Sequence, residues 1–379
     1  MLLTEEQTMV RDTARQFAAD QLAPNAAAWD RDAVFPDTAV RGMGELGLMG
    51  VQVPEDWGGA GLGNIELSLA IEEIAAGDGG CSTVMAVQNS VVCMPIYKFG
   101  SADQKQRYLK KLATGEMLGA FMLTEPHTGS DAGAIKTRAE KVGNKYVLNG
   151  AKQFISTGNK ADIAITFAVT EPADGSKGIS AFIVPTDAPG YTVARVEHKL
   201  GQRSSETCAI TLDNVEVTPD LLLGEEGEGY RIALSNLEGG RIGVAAQAVG
   251  MARAAFEHAV AYARERETFG KTLMEHQAIA FKLADMKTKL SVARQMYLHA
   301  ADLRDRGEKC VEEAAMAKLF ASEMAEEVCS DAIQIHGGYG YLQDFPVERI
   351  YRDVRVTQIY EGASEIQKLV ISREIAEQA

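Results

Sequence analysis

The sequence is poor in the residues that form disulfide frameworks and metal sites. Its 379 residues include five cysteines and six histidines, with no CxxC pair and no HExxH or similar metal-ligand spacing. An odd number of widely separated cysteines is typical of reduced thiols in an intracellular protein rather than of a disulfide scaffold. The scarcity of ligand clusters argues against zinc, so we predict that the protein holds no metal.

Long apolar runs and an excess of positive charge are also lacking. No run is long enough to cross a membrane, and the first six residues do not combine a basic region with an apolar one. The 38 Lys and Arg residues are outnumbered by 53 Asp and Glu, which gives a net charge of −15. We therefore expect no nucleic-acid or membrane partner. The expected location is cytoplasmic, or the mitochondrial matrix only if a transit peptide has been removed.

Common nucleotide-binding and hydrolase motifs are missing as well. The glycine-rich residues 58–63 lack the GxGxxG spacing and a preceding strand, so they predict a tight loop rather than a dinucleotide site. Residues 269–272 resemble the end of a P-loop, but Glu265 stands where its first glycine is required. Ser130 is not in a GxSxG elbow. These patterns disfavour nucleotide hydrolysis and serine hydrolysis.

What is present divides the chain into three regions. Residues 1–115 have helical periodicity, beginning with an N-cap signal at Thr4. Residues 116–227 contain short β-branched runs, a hairpin signal at Gly143-Asn144 and no intervening helical pattern, which predicts antiparallel pairing. Residues 228–379 return to long, alanine-rich amphipathic stretches that are typical of helix bundles. We predict an α+β protein with an N-terminal α-helical domain, a middle antiparallel β domain and a C-terminal four-helix-bundle domain.

One carboxylate near the C-terminal end lies in an unusual setting. Glu361 stands between the aromatic Tyr360 and Gly362, while Ser364 and Gln367 fit a capping box at the start of a helix. The sequence therefore predicts a short loop at a helix entrance, where Gly362 lets another molecule approach the backbone. Taken alone, such a glutamate is most simply a solvated loop residue.

Six motifs in a fixed order change that interpretation. They are residues 123–131 (LTEPHTGSD), 201–203 (GQR), 266–270 (RETFG), 334–340 (QIHGGYG), 352–353 (RD) and 359–362 (IYEG). Together they resemble the acyl-CoA dehydrogenase family, most closely its short-chain and branched short-chain members, over nearly the whole chain. The resemblance implies an α-β-α fold and FAD bound without a Rossmann domain. It also implies α,β-dehydrogenation of an acyl-CoA thioester to the trans-2-enoyl-CoA, an electron-transfer flavoprotein as electron acceptor, and a homotetramer.

The resemblance assigns two groups of FAD contacts. The group around the flavin ring comprises Phe121, Leu123, Thr124, Phe154 and Ser156, and the further expected cofactor contacts are Ser130, Ala363 and Glu365. The group around the pyrophosphate and adenosine, typically those of a neighbouring subunit's FAD, comprises Arg266, Phe269, Gln277, Gln334, Gly337 and Gly338. Aromatic faces pack on the flavin, whereas arginine and glycine-rich backbone suit phosphates. Ala363 replaces the usual threonine, which removes one polar contact to FAD.

For the reaction, the resemblance makes Glu361 the base that takes the α-proton while a hydride leaves the β-carbon. Burial against Tyr360, the flavin and the acyl chain is expected to raise its pKa toward working pH. The expected substrate contacts are Ser130, Glu238, Arg241, Tyr360 and Gly362. Some members carry their base at the position that is Gly240 here, which has no side chain, so Glu361 is the candidate that is left.

Two alternatives stay open. The same fold serves oxygen-using flavoenzymes, namely acyl-CoA oxidases and flavin monooxygenases, although a monooxygenase does not need Glu361 in an intact Tyr-Glu-Gly motif. The other alternative is a non-catalytic flavoprotein, which the presence of both Glu361 and Arg241 disfavours.

Overall fold

The structure is a computed structural model that describes residues 2–378, apart from the side chains of Leu237 and Glu238. Its N-terminal part is helical: α1 (Glu5–Phe17), α2 (Ala26–Asp32), α3 (Asp37–Glu45), α4 (Asn64–Gly77), α5 (Gly79–Val87), α6 (Met94–Phe99), α7 (Ala102–Gln104) and α8 (Lys110–Ala113). Helix α1 starts at the predicted cap. The Thr4 side chain accepts a hydrogen bond from the backbone N–H of Gln7, and the Gln7 side chain accepts one from the backbone N–H of Thr4. Helix α4 is buried on almost every side, which places it between α1 and the C-terminal helices.

The middle part forms one eight-stranded sheet among the described residues. Its strands are β1 (Gly119–Met122), β2 (Arg138–Val142), β3 (Lys145–Ser156), β4 (Ile163–Val169), β5 (Ile179–Pro185), β6 (Tyr191–Val196), β7 (Thr207–Val217) and β8 (Leu222–Leu223). They lie in the order β6-β7-β3-β2-β4-β5-β8, with β1 beside β4. The predicted hairpin at Gly143-Asn144 joins β2 to β3.

Most strand pairs are antiparallel, as the sequence predicted, but two are not. Strand β1 pairs with β4 in parallel, and β2 and β4 share one parallel partner pair, Arg138 with Val169. The partners of β1 are more than 40 residues away along the chain. A local pattern of β-branched residues carries no information on such distant pairing.

The C-terminal part is again helical: α9 (Gly229–Leu234), α10 (Leu237–Glu265), α11 (Gln277–Asp305), α12 (Val311–His336), α13 (Pro346–Val354) and α14 (Ser364–Gln378), with a two-stranded hairpin, β9 (Glu267–Thr268) and β10 (Lys271–Thr272), before α11. The side of α10 that faces the core is buried: Val244, Ala248, Met251, Ala255 and Ala259 are each at most 4% exposed. Small side chains at these positions allow close helix packing. The predicted fold class is confirmed.

The interior consists of two apolar cores, one among the helices and one formed by the sheet with α6, α8 and α9. All five cysteines are buried and no disulfide joins them, as expected for reduced thiols. No helix in the described part of the chain is both long and apolar enough to cross a membrane.

Candidate active site

Glu361 lies on a sharply turned loop between a 3-10 turn, Arg355–Gln358, and α14. Its φ is 52° and that of Gly362 is 87°, so both residues have left-handed backbone conformations. Glycine adopts this conformation freely, whereas a glutamate does so only when its surroundings impose it. The turn directs the carboxylate at α10, where a Cβ built on Gly240 would lie 2.6 Å from Glu361 Oε2.

The carboxylate of Glu361 has the properties of a general base. Oε2 is buried and has no hydrogen-bond partner among the described residues. Burial raises the pKa of Glu361 above its ordinary value, while the charges of Arg241 and Lys318 oppose that rise without cancelling it. The direction agrees with the sequence-based expectation. An unengaged carboxylate oxygen with a raised pKa is suited to taking a proton.

Two side chains hold the backbone carbonyls of this loop. Lys318 Nζ donates to Gly362 O at 2.7 Å, and Gln367 Nε2 donates to Gly362 O at 2.8 Å and to Glu361 O at 3.2 Å. The predicted capping box is therefore wrong. Ser364 is the first residue of α14 rather than its cap, and its Oγ has no partner in the described structure. The Gln367 amide is directed into the loop instead.

Tyr360 joins the loop to the other two domains. Its hydroxyl donates to Gln247 Oε1 and accepts a long hydrogen bond, 3.4 Å, from Gln202 Nε2. Thr83 Oγ1 in turn donates to Gln202 Oε1 at 2.6 Å, and the Gln202 backbone N–H donates to Asp353 Oδ1. The residue before the candidate base is thus bonded, directly or through Gln202, to helices of both helical domains and to the β domain.

Two of the six sequence motifs meet at this junction. A Cβ on Gly201 would lie 2.4 Å from the carbonyl carbon of Arg352, so this position has room only for glycine. The Arg352 guanidinium forms two hydrogen bonds with Asp30, at 2.9 and 2.6 Å, and two with Glu348. The GQR and RD motifs are therefore parts of one domain junction.

The flavin-ring residues predicted from the sequence gather at neighbouring ends of β1 and β3. Phe121 and Thr124 are half-buried and Leu123 is buried; Thr124 O accepts from the backbone N–H of the residue before Phe154, at 2.9 Å. Phe154 has a φ of 59° and leaves 65% of its side chain exposed, while Ser156 is half-buried two residues further on. An aromatic side chain and a hydroxyl thus lie two residues apart at the end of β3.

A buried ion pair lies next to these ends of β1 and β3. Lys152 Nζ is 2.9 Å from Glu125 Oε1 and donates to Leu123 O at 3.1 Å, and both side chains are almost fully buried. Glu125 also accepts the backbone N–H groups of Lys136 and Thr137 at 2.7 and 2.9 Å. Burial lowers the pKa of Lys152 to about 8, and the neighbouring carboxylate limits that shift. The pair anchors the segment on which Leu123 lies.

The pyrophosphate and adenosine group forms a second, exposed set. Arg266, Phe269 and Gln277 lie around the β9–β10 hairpin, and Gln334, Gly337 and Gly338 lie at the end of α12. Phe269 is 97% exposed, and the Arg266 guanidinium lies 5.9 Å from the ring centroid of Tyr339. A Cβ on Gly337 or Gly338 would meet nothing within 4 Å, so the backbone here is open to another molecule.

The other predicted residues have varied surroundings. Ser130 and Glu365 are exposed and Ala363 is half-buried. Arg241 is 9% exposed on α10 and contributes its charge to the field at Glu361. The side chain of Glu238 lies outside the described structure.

Sequence reasoning missed Lys318 and Gln247. Lys318 is fully buried on the face of α12 that Ala314, Ala317 and Ala321 share. A single lysine at helical spacing within an alanine stripe was the signal that could have identified it. No comparable signal marked Gln247, because a glutamine is unremarkable on a long helix.

Comparisons with known proteins agree with this geometry. Family models for the N-terminal, middle and C-terminal domains of acyl-CoA dehydrogenase match residues 4–116, 120–215 and 227–376. An acyl-CoA dehydrogenase of Bacillus subtilis is 51% identical over 98% of each chain. The mitochondrial short-chain specific acyl-CoA dehydrogenase of Rattus norvegicus is 46% identical over 98% of this chain and 90% of its own.

Solved structures match equally closely. Butyryl-CoA dehydrogenase from Megasphaera elsdenii superposes with a TM-score of 0.97 at 40% identity, over 99% of each chain. A chain solved in work on the electron transferring flavoprotein of Acidaminococcus fermentans gives a TM-score of 0.97 at 45% identity, also over 99% of each chain. With three domain models, two close relatives and two matching folds in agreement, the chain belongs to the acyl-CoA dehydrogenase family.

Proposed function

We propose that the protein is an FAD-dependent dehydrogenase of short-chain or branched short-chain acyl-CoA thioesters, with Glu361 as the base. The observation that carries this proposal is the setting of Glu361. Its Oε2 is buried, has no partner in the described structure and lies against a glycine that leaves it room. A carboxylate in this state has no structural bond to lose when it takes a proton.

Phe154 and Ser156, at the end of β3, fit a flavin. An exposed Phe154 beside the hydroxyl of Ser156 offers a flat apolar surface and a hydrogen-bonding group to a heteroaromatic ring. The open backbone at Gly337 and Gly338, with Arg266 near by, suits the phosphates of the same cofactor type. When bound, FAD supplies the acceptor for the β-hydride.

The protein's own groups complete the balance of the reaction. The α C–H bond breaks toward Glu361, which receives the proton, and the electron pair of that bond becomes the new double bond as the β-hydride leaves. The α-carbon of a thioester is a weak acid, so its proton is lost only to a base held in position. Tyr360 and Gly362 flank that base, and the missing side chain at Gly362 leaves room for the thioester.

The substrate class and the electron acceptor follow from the relatives. Close relatives include a short-chain specific enzyme and a butyryl-CoA dehydrogenase, which supports a small acyl group. A near-identical fold solved in work on an electron transferring flavoprotein supports such a protein as the electron acceptor. The reduced, buried cysteines support a cytoplasmic location.

We further propose a homo-oligomer, a tetramer by family resemblance. Large side chains are exposed near the second cofactor set: Phe269 is 97%, Tyr341 86% and Phe281 62% exposed. Large apolar groups exposed within one region of the chain favour a contact surface. Sedimentation of the holoenzyme tests this, and a monomer that retains full FAD would contradict it.

The test of the activity uses the purified holoenzyme and its flavin spectrum. Anaerobic mixing with butyryl-, isobutyryl- and octanoyl-CoA should bleach the flavin fastest with the short chains. If the protein carries flavin and none of the three bleaches it, the dehydrogenase function is wrong. Re-oxidation of the bleached enzyme separates a dehydrogenase from an oxidase. We expect the flavin absorbance to recover fast with electron-transfer flavoprotein and slowly in air. Fast recovery in air would indicate an oxidase.

A further inference from the structure

Lys318 is a buried cation that the reaction as described does not use. Its side chain has no exposed surface, and its Nζ donates to Gly362 O at 2.7 Å. A lysine charge is unfavourable in a protein interior unless partners compensate it. Burial lowers the pKa of Lys318 to about 8, and the charge of Glu361 is the largest effect opposing that shift. The loop that carries Glu361 therefore compensates the buried charge of Lys318.

The bond from Lys318 acts on the second peptide group after the base, the one between Gly362 and Ala363. Glu361 and Gly362 both have left-handed conformations, which a glutamate does not adopt unaided. Gly362 O accepts two hydrogen bonds, one from Lys318 on α12 and one from Gln367 on α14. These donors fix the orientation of the Gly362–Ala363 peptide plane, and Gln367 also holds the plane next to the base through Glu361 O. Together they hold the backbone from which the Glu361 side chain leaves.

The charges around the base come from several helices. Glu361 faces Arg241 on α10 and Lys318 on α12. Lys318 is influenced by Glu361 first, then by Arg241, by Glu365 at the start of α14 and by Glu323 on its own helix. Glu365 and Glu323 are exposed, so solvent screens them. The buried charges that act on Glu361 are those of Arg241 and Lys318, and Arg241 has the larger effect.

We propose that Lys318 is a positioning residue for the base: it holds the Gly362 carbonyl so that Glu361 is directed at Gly240, and its charge favours the carboxylate form of Glu361. The proposal rests on the proposed function of Glu361. It separates two effects of one side chain, a hydrogen bond that fixes geometry and a charge that sets protonation.

Three variants separate these effects. Lys318→Met removes both the charge and the hydrogen bond at similar length, Lys318→Arg retains a charge, and Gln367→Met removes loop hydrogen bonds without changing charge. Lys289→Gln is the matched control, since Lys289 is a lysine of the same bundle that pairs with Glu327 at the surface. Lys318→Gln replaces Lys318→Met if the latter is not recovered folded. FAD content and Tm are measured for each.

The main measurement is the pH dependence of flavin reduction by butyryl-CoA in anaerobic stopped flow. Lys318→Met should raise the apparent pKa of the base by about 1 unit and slow reduction above that pKa by about tenfold, because a neighbouring opposite charge and a positioned loop are both lost. Lys318→Arg should restore most of the pKa. Gln367→Met should slow reduction at all pH values without moving the pKa, and Lys289→Gln should resemble the wild type.

A purely structural role for Lys318 predicts another outcome. In that case Lys318→Met lowers Tm while the pH profile of the remaining folded enzyme stays that of the wild type, which would overturn the proposal. Infrared pH-difference spectra give a readout that needs no turnover: the carboxylic-acid band that Glu361→Gln abolishes should titrate at higher pH in Lys318→Met. If the wild type is not reduced by any acyl-CoA but this band shifts, the proposed function fails and the Lys318–Glu361 coupling stands.

Discussion

The carboxylate of Glu361 occupies the space that a side chain on Gly240 would need. A Cβ at residue 240 would lie 2.6 Å from Oε2 and 3.1 Å from Cδ of Glu361. Family members whose base stands at this other position therefore direct it into the same space from α10. In this chain the two positions exclude each other, because only a glycine at position 240 leaves room for the Glu361 carboxylate.

Gly240→Ala is expected to reduce activity without unfolding the protein. The new methyl group meets the end of a flexible side chain, so the carboxylate moves while the backbone stays, and misplacement of a base costs roughly tenfold to a hundredfold in rate. Alanine also favours a helix over glycine by about 1 kcal/mol, so Tm should not fall. The neighbouring Gly239→Ala is the control, because its Cβ would lie 3.5 Å from the nearest atom, an ordinary contact with Arg304. Equal rates for the two variants would disprove this account.

Glu361→Gln should retain FAD and lose flavin reduction by about a thousandfold or more, since the amide keeps the shape of the side chain but cannot take a proton. The wild type should be reduced faster as pH rises through the raised pKa of Glu361, because only the carboxylate is a base. Anaerobic stopped flow with butyryl-CoA measures both effects. A variant with near wild-type rates would place the base elsewhere.

Loss of the Asp353 proton should make the protein less stable as pH rises from about 4 to about 7. Burial is the main cause that raises the pKa of this carboxyl from 3.8 to about 7; Arg349 opposes the rise, and Asp78 adds to it. The folded state then binds more protons than the unfolded state within this window, so stability is present below it and declines through it. In Asp353→Asn the slope of Tm against pH should be flatter between pH 5 and 8 than in the wild type. Parallel slopes would show that Asp353 titrates normally.

Lys152→Met should weaken both the fold and FAD retention. Removing one partner of a buried ion pair costs about 3–5 kcal/mol, because Glu125 stays charged in the interior. The Leu123 carbonyl also loses its hydrogen-bond donor, so the segment that carries the predicted flavin contacts Leu123 and Thr124 is less firmly held. Tm and the flavin-to-protein ratio test this, and the double variant Lys152→Met/Glu125→Gln should recover part of the lost stability. A stable single variant with full flavin would show that the pair is dispensable.

The sequence predicted the fold class because each domain repeats a local signal. Alanine and valine at helical spacing on α10 became a buried face, and Gly143-Asn144 became the hairpin between β2 and β3. Contacts between distant segments were not predictable. The parallel pairing of β1 with β4 depends on packing that no short window of sequence reports.

The candidate site was predicted in part for the same reason. Glu361 and its neighbours form one continuous motif, so they could be read together. Gln367 was assigned to a capping box because of its spacing from Ser364, whereas its amide donates to the carbonyls of Glu361 and Gly362. Lys318 lies on α12, 44 residues before Gly362, and only the folded chain brings the two together. The FAD contacts inferred from family resemblance remain predictions.

The bonds of Gln202 limit how this enzyme can be recombined with its relatives. Gln202 comes from the β domain, yet its side chain contacts Thr83 and Tyr360 and its backbone contacts Asp353, all outside that domain. A chimera that imports a foreign β domain must therefore bring a matching side chain and the same left-handed backbone at this position, where φ is 48°. The exchangeable unit is not the single domain but the domain together with its contacts to the loop that carries Glu361.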